Sequence, residues 1–366
     1  MTADRALLGL AHLDVRGPRY VLGRTADAYA LWDGAAGGLP VEQFPMSSEG
    51  WIRAWHRYRE LETGAGQAPE AVPRAPYPLT VGQIVGGGFR LWVRHFWVLL
   101  GMAAIPLIPA SAVVLAVSLS TMRVVQPPGG PVEIALPVWA NVLNNAVNAV
   151  AFAVAAATVV RGAAVALQGR RPSVGDAYRV AGRRAGTVVL VTVAGGLAAA
   201  APLLPGIVLW NAGRSSEPTL AAAVVLVAIG LVPAVFLTIR FLLWPGPAVV
   251  EGHRGLTPLR RSWRLVRGLF WRTLGAILLA GLVIFGAALV LFTLLFAVFI
   301  GTAGPVTESF LRAVVVLTGI ASAVLLTATL PFAEVVIALL YVDARVRKEG
   351  LDLPTLARET GVEPPP

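Results

Sequence analysis

From residue 97 onward the chain alternates long apolar runs with short polar connections. The runs are Trp97–Ser120, Ala135–Leu167, Ala185–Trp210, Thr219–Trp244, Thr273–Gly301 and Ala313–Tyr341. About 20 apolar residues cross the hydrocarbon core as an α-helix, so each run predicts a transmembrane span. The second and sixth are long enough to tilt or to project from the bilayer. Ahead of each odd-numbered run the rhythm changes to a helical period, apolar on one face and arginine-bearing on another. After Thr80, a capping residue, Val81, Val85, Phe89 and Trp92 oppose Gln83, Arg90 and Arg94. After Ser173, Val174, Tyr178 and Ala181 oppose Asp176, Arg179 and Arg183. From Thr257, Leu259, Trp263, Val266 and Phe270 adjoin Arg260, Arg264 and Arg267. Such helices lie in the membrane interface, with arginines toward lipid phosphates. Their starts are 93 and 84 residues apart. The pattern predicts an all-α membrane bundle of six transmembrane helices in a threefold repeat, each repeat one interfacial helix and two spans.

Residues 1–62 have a shorter period. RYVLGR (19–24) and AYALWD (28–33) read as strands around Thr25-Ala26-Asp27, GAAGG (34–38) as a turn and VEQF (41–44) as a third short strand. Ser47-Ser48 offers a cap to a helix with Trp51, Trp55, Tyr58 and Glu62 on one face. That tryptophan face is expected to pack on its own strands, the alternative being a docked partner. Residues 1–62 therefore predict a small cytoplasmic α+β domain, and the four prolines of 63–78 an extended linker. The membrane domain is expected over 79–345 and a cytoplasmic tail over 346–366. The opening MTADRALLGLAHLDVRG lacks the basic-then-apolar pattern of a signal peptide, so insertion is expected from internal spans.

Composition sharpens this. The chain of 366 residues is 56% hydrophobic and 14% charged, where soluble domains carry about a quarter charged residues. Its net charge is +10, and Lys348 is the one lysine. Segment 170–184 holds five basic residues, 245–272 six and 343–366 four, while the alternate connections hold Arg123, Arg214 and none. The positive-inside rule then places both termini in the cytoplasm, and the arginine bias with so much Ala, Gly and Val suggests a GC-rich bacterial coding sequence, hence a bacterial inner membrane. The arginine-rich stretch LTPLRRSWRLVRGLFWRTLG (256–275) is not a nucleic-acid arm on this reading, because its helix runs straight into a span.

Few groups carry chemistry. Cysteine is absent, and His12, His56, His95 and His253 are not at ligand spacing, so neither a metal nor a cofactor is expected. Glu334, about a third of the way up the sixth span from its cytoplasmic end, and Arg240, at similar depth in the fourth, are the intramembrane charges of interest. They read as a structural ion pair, as Arg240 on a lipid phosphate, or as a proton- or headgroup-linked site. Asn141, Asn145 and Asn148 form one stripe of the second span beside Asn144. The stripe reads first as helix–helix glue and second as the polar wall of a cavity.

Three segments, LTVGQIVGGGFRLWVRHFWVLLG (79–101), VVEGHRGLTPLRRSWRLVRGLFWRTLG (249–275) and PFAEVVIALLYVDARVRKEGLDLPTLA (331–357), together carry a resemblance. The chain over roughly 79–357 resembles the membrane domain attached to some multi-pass bacterial glycerophosphoryl diester phosphodiesterases, which also stands alone. The resemblance implies a six-helix membrane domain and does not by itself imply hydrolysis. The phosphodiesterase barrel opens with His-Arg-Gly followed shortly by Pro-Glu-Asn. Here His253-Arg254-Gly255 is followed by Leu256-Thr257-Pro258-Leu259, and no soluble segment has a barrel's length. The expectation is a non-enzymatic membrane protein that organises or handles anionic lipid or scaffolds a membrane protein partner. The alternative is a transporter or permease subunit with a polar cavity near Glu334 and Arg240.

Overall fold

The computed structural model describes residues 12–16, 19–25, 27–33, 39–46, 48–63, 79–125, 133–168, 170–212, 217–301 and 307–349. The expected turn at 34–38, most of the proline-rich 63–78 segment and most of the tail lie outside them. By internal contacts the chain divides into Met1–Leu79 with Val342–Arg358, and Thr80–Tyr341 with Glu359–Pro366.

In the first unit, β1 (His12–Arg16), β2 (Tyr20–Arg24), β3 (Ala28–Asp33) and β4 (Glu42–Pro45) form an antiparallel meander in chain order. Three strands are expected from alternation; β1 is an addition, paired to β2 through an irregular register at Leu13/Val15. Helix α1 (Ser48–Thr63) covers one face of the sheet. Trp51, Trp55 and Tyr58 are buried with Leu22, Tyr29 and Leu31. The Tyr29 and Trp51 rings lie 5.1 Å apart, so the tryptophan face packs on its own strands. The other sheet face buries Val21, Ala30 and Trp32. At the chain's far end Asp343 accepts from the Leu79 amide at 2.8 Å and from Arg347 at 3.0 Å, and Arg347 also donates to the Leu79 carbonyl. The charged segment 343–349 is thus helical, with Asp343 and Arg345 buried and Arg347, Lys348 and Glu349 exposed.

The second unit is helical. In order come α2 (Val81–Arg94), α3 (Phe96–Thr121), a hairpin of β5 (Arg123–Val125) and β6 (Glu133–Ala135), α4 (Val138–Leu167), α5 (Val174–Arg183), α6 (Ala185–Ala200), a 3-10 turn Ala201–Leu203 and α7 (Leu204–Ala212). Then follow α8 (Glu217–Phe241), α9 (Pro245–Val249), α10 (Thr257–Val266), α11 (Phe270–Gly301) and α12 (Glu308–Glu349), the last running on into the first unit. Six stretches are long and apolar enough to cross a membrane: Phe96–Thr121, Val138–Leu167, Ala185–Trp210, Glu217–Val249, Phe270–Ala297 and Ser309–Glu349. The protein is a multi-pass membrane protein, and the order of one short helix and two spans occurs three times. Span two starts at Val138 instead of Ala135, because Glu133–Ala135 pair in the hairpin and Pro137 opens the helix. Pro202 and Pro205 break span three, and Pro245 and Pro247 separate α9 from α8, since proline removes a backbone donor and clashes with the preceding turn.

Burial is uneven along these helices. Most of α4 from Ala151 to Ala166 is buried, much of it alanine, whereas most of its first three turns are exposed. Most of α12 from Leu330 to Val346 is buried, whereas before Leu330 it is mostly open. Elsewhere the spans turn Leu, Val, Ile and Phe outward, as lipid-facing helices do. Side-chain size sets the close contacts: at Gly246 of α9 any Cβ would come within 2.6 Å of the Tyr341 ring.

Candidate functional site

Each short helix is fixed by local chemistry. Thr80 and Gln83 form a capping box at α2, the threonine oxygen accepting from the Gln83 amide and the glutamine oxygen from the Thr80 amide. Ser173 accepts from the Asp176 amide at α5. Helix α10 carries Pro258 in its first turn, where the missing amide proton costs nothing.

The buried faces are shifted from the expected ones. Helix α2 buries Ile84, Val85 and Gly88, while Phe89 stays 45% exposed against Phe332. Helix α5 buries Ala177 and Ala181 and sends the Tyr178 hydroxyl to the Met102 carbonyl at 2.8 Å; burial pushes this phenol up to about 12. Asp176, placed by the sequence on the open face, instead pairs with the buried Arg161 of α4 at 3.2 Å. Helix α10 buries Leu259, Ser262, Leu265 and Val266, with Trp263 at the margin.

All seven candidate arginines, Arg90, Arg94, Arg179, Arg183, Arg260, Arg264 and Arg267, are exposed. Each short helix precedes an odd-numbered span, so all three lie at one end of a six-span bundle. Trp97 and Trp271, second residues of α3 and α11, are each 79% exposed. Trp139 and Trp210 are exposed at span ends of the other side. Tryptophan at both ends of apolar spans is the belt pattern of membrane proteins.

Glu334 and Arg240 do not form the ion pair that was one reading of them. Glu334 is buried in α12 and its Oε2 has no partner among the described residues. Thr327, two turns earlier on the same face of α12, also has a buried hydroxyl without a partner. Tyr341, two turns later, donates to Glu251 at 2.7 Å. The three residues share a face because seven residues nearly complete two turns. Arg240, near the end of α8, stands 4.9 Å from both the Phe236 and Trp263 ring centres. Its Nε and Nη1 are buried without acceptors.

Helix–helix glue does not describe the asparagine stripe. Asn141, Asn145 and Asn148 are exposed, and the first two donate to carbonyls of their own segment, Leu136 and Asn141. The bond between helices comes from Asn144, off the stripe, to Ser118 of α3 at 3.1 Å. Asn148 lines a groove of about 480 Å³ between α3, α4 and α12, with Ser111, Ser118, Thr318 and Ser322 among apolar neighbours. A second groove of about 530 Å³, lined by Leu289, Phe292, Phe296 and Leu317, lies between α11 and α12.

Sequence reasoning missed the polar cluster around Glu251. This mostly buried carboxylate accepts from Arg261 at 2.9 Å, from Tyr341 and, at 3.1 Å, meets His253. Arg184 donates to the Gly252 carbonyl, and Gly252 holds φ 76°, a conformation glycine adopts without strain. The His253-Arg254-Gly255 tripeptide is thus part of a polar link between α6, α10 and α12, joined also by the Gly255 amide to Thr187. The signal available was Glu251 ten residues ahead of Arg261, a spacing that means nothing until the loop folds back.

Compared with family models, curated proteins and solved structures, the chain matches none.

Proposed function

We propose that this protein is a non-enzymatic membrane module that gathers anionic lipid at one leaflet, organising or handling lipid or presenting it to a membrane partner. The supporting observation is the exposure of seven arginines on three short amphipathic helices, with exposed Trp97 and Trp271 where spans one and five begin. Arginine beside lipid phosphate gains electrostatic attraction of about 1 kcal/mol per residue near an anionic surface. On this reading the three helices lie at headgroup depth on the cytoplasmic side of a bacterial inner membrane, in a membrane domain of the phosphodiesterase-associated type. The chain's lack of cysteine makes the orientation simple to test. In spheroplasts an impermeant maleimide is expected to label Arg123→Cys and to spare Arg171→Cys; the reverse pattern sinks the orientation.

Native mass spectrometry of the full chain in mild detergent tests the lipid reading. The wild type is expected to retain several phosphatidylglycerol molecules, and Arg260→Gln/Arg264→Gln/Arg267→Gln to lose most of them. An unchanged lipid complement in the triple variant overturns the reading.

Transport is the second reading, favoured by the unpartnered Glu334 and Thr327 in the bundle interior. Potential-driven proton entry into proteoliposomes, abolished by Glu334→Gln, supports it; proteoliposomes as tight as empty vesicles reject it.

A further inference from the structure

Four arginines with largely buried side chains or a buried carboxylate partner each form an ion pair. Arg161 has Asp176, Arg261 has Glu251, Arg345 has Glu349 and Arg347 has Asp343. Arg240 has none among the described residues. Segments 236–250 and 256–273, which carry Arg240 and the helix packed on it, contain no acidic residue. The guanidinium is held instead by carbon: the Phe236 ring one turn back on α8, and the Trp263 ring from α10, each at 4.9 Å. Phe270 stands 5.4 Å from Phe236, and Phe241 5.8 Å from Trp263, extending the aromatic wall.

The cage is anchored from below. Ser262, fully buried, donates to the Arg240 carbonyl at 2.8 Å and accepts from the Leu243 amide at 3.1 Å. That hydroxyl ties α10 to the frayed end of α8 and sets Trp263 one residue along, over the guanidinium. Aromatic faces stabilise a cation but accept no N–H hydrogen bond of full strength. Two donors, Nε and Nη1, therefore remain buried and unsatisfied, a state that folded proteins seldom leave without a ligand. The missing partner is an anionic acceptor with several oxygens. At the end of a membrane-spanning helix a phosphate is an acceptor of that kind.

We propose that Arg240 is the anchor of a one-phosphate site between α8 and α10, caged by Phe236 and Trp263. The site takes a tetrahedral phosphate oxyanion, carried by a phospholipid headgroup or free in solution; the lipid source rests on the reading above. It differs from the open arginine face in stoichiometry, one ligand per chain, and in depending on one guanidinium.

The test uses the full chain in mild detergent and native mass spectrometry with three probes: dioleoyl phosphatidic acid, dioleoylglycerol with the same tails and no phosphate, and inorganic phosphate. The wild type is expected to hold one phosphatidic acid firmly and to bind dioleoylglycerol no better than background. Arg240→Gln and Arg240→Lys are expected to weaken the firm site roughly tenfold or more, lysine because it lacks the planar donor set. Arg240→Lys, which keeps the charge in the cage, and Phe236→Leu, which opens the cage, serve if the glutamine variant does not accumulate as a monodisperse species. Displacement of the lipid by millimolar inorganic phosphate assigns the site to free phosphate as well, and resistance to it assigns the site to lipid. The triple variant Arg260→Gln/Arg264→Gln/Arg267→Gln should keep the one firm ligand while losing the others. If it keeps everything and Arg240→Gln loses the firm ligand, the surface reading fails and the Arg240 site stands. Equal retention by wild type, Arg240→Gln and Phe236→Leu, or equal binding of dioleoylglycerol, overturns the site.

Discussion

The two ends of the helical unit are built from the same apolar residue types and packed in opposite ways. At the end carrying the short helices, Ala151–Ala166 of α4 and Leu330–Tyr341 of α12 are mostly buried. At the other end the same two helices open outward, and grooves of about 480 and 530 Å³ flank α12. The difference lies in side-chain volume and in polar links. Alanine and glycine let helices approach until backbones nearly touch, and dispersion contacts accumulate. Glu251, Arg261, Tyr341, Arg184 and Ser262 then tie α6, α8, α10 and α12 together by hydrogen bonds. At the open end Leu289, Phe292, Phe296 and Leu317 leave a groove between α11 and α12 that no polar link closes among the described residues. Close packing and charge thus share one end, where the proposed headgroup site would gain most from preorganisation.

The sharpest way to break the comparison is Glu251→Ala. It removes the carboxylate to which the mostly buried Arg261 and Tyr341 both donate. Breaking such a pair costs about 3 kcal/mol or more, so the thermal midpoint in detergent is expected to fall by several degrees. A midpoint within a degree of wild type shows that the cluster does not hold the tight end together.

The next effect is steric. Gly246→Leu puts a side chain into the Tyr341 ring, whereas Gly281, near the open half of α11, has nothing within 4 Å. Overpacking costs about 1–3 kcal/mol, and an open surface position changes stability by about 0.5 kcal/mol or less. Gly246→Leu is expected to destabilise measurably in a thermal-shift assay and Gly281→Leu to leave the midpoint in place. Equal shifts would erase the distinction between the ends.

The smallest effect is a pH dependence at His95, which joins α2 to α3. Burial, then the neighbouring Arg94, holds its imidazole below the ordinary value of 6.5. The unfolded chain therefore takes up the proton first, so this residue's contribution declines as pH falls below about 6.5 and is constant above it. Urea titrations at pH 7.5 and 5.5 are expected to show a smaller loss in His95→Asn than in wild type. An identical loss assigns the dependence to other groups.

Much of the tight end was legible in one dimension. Thr80 and Ser173 cap the helices they announce, because a cap acts within three residues. The seven arginines are exposed as their period requires. The asparagine stripe was misread because a helical period shows which residues share a face and leaves open what that face meets. Asn144, one position off the stripe, meets Ser118. Glu334 and Arg240 were linked by depth, yet depth along a span says nothing of azimuth, and each helix turns its charge elsewhere.

Six apolar runs, three arginine-bearing amphipathic segments and a short alternating domain come from composition and period alone. They do so because hydrocarbon requires about 20 apolar residues whatever surrounds them. Tertiary structure alone decided that Ser262 grips the end of α8, that Glu251 gathers three donors, and that Arg240 lies between two rings with no carboxylate partner among the described residues. The longest of these contacts joins residues 90 positions apart, and no local pattern encodes which partner closes such a loop.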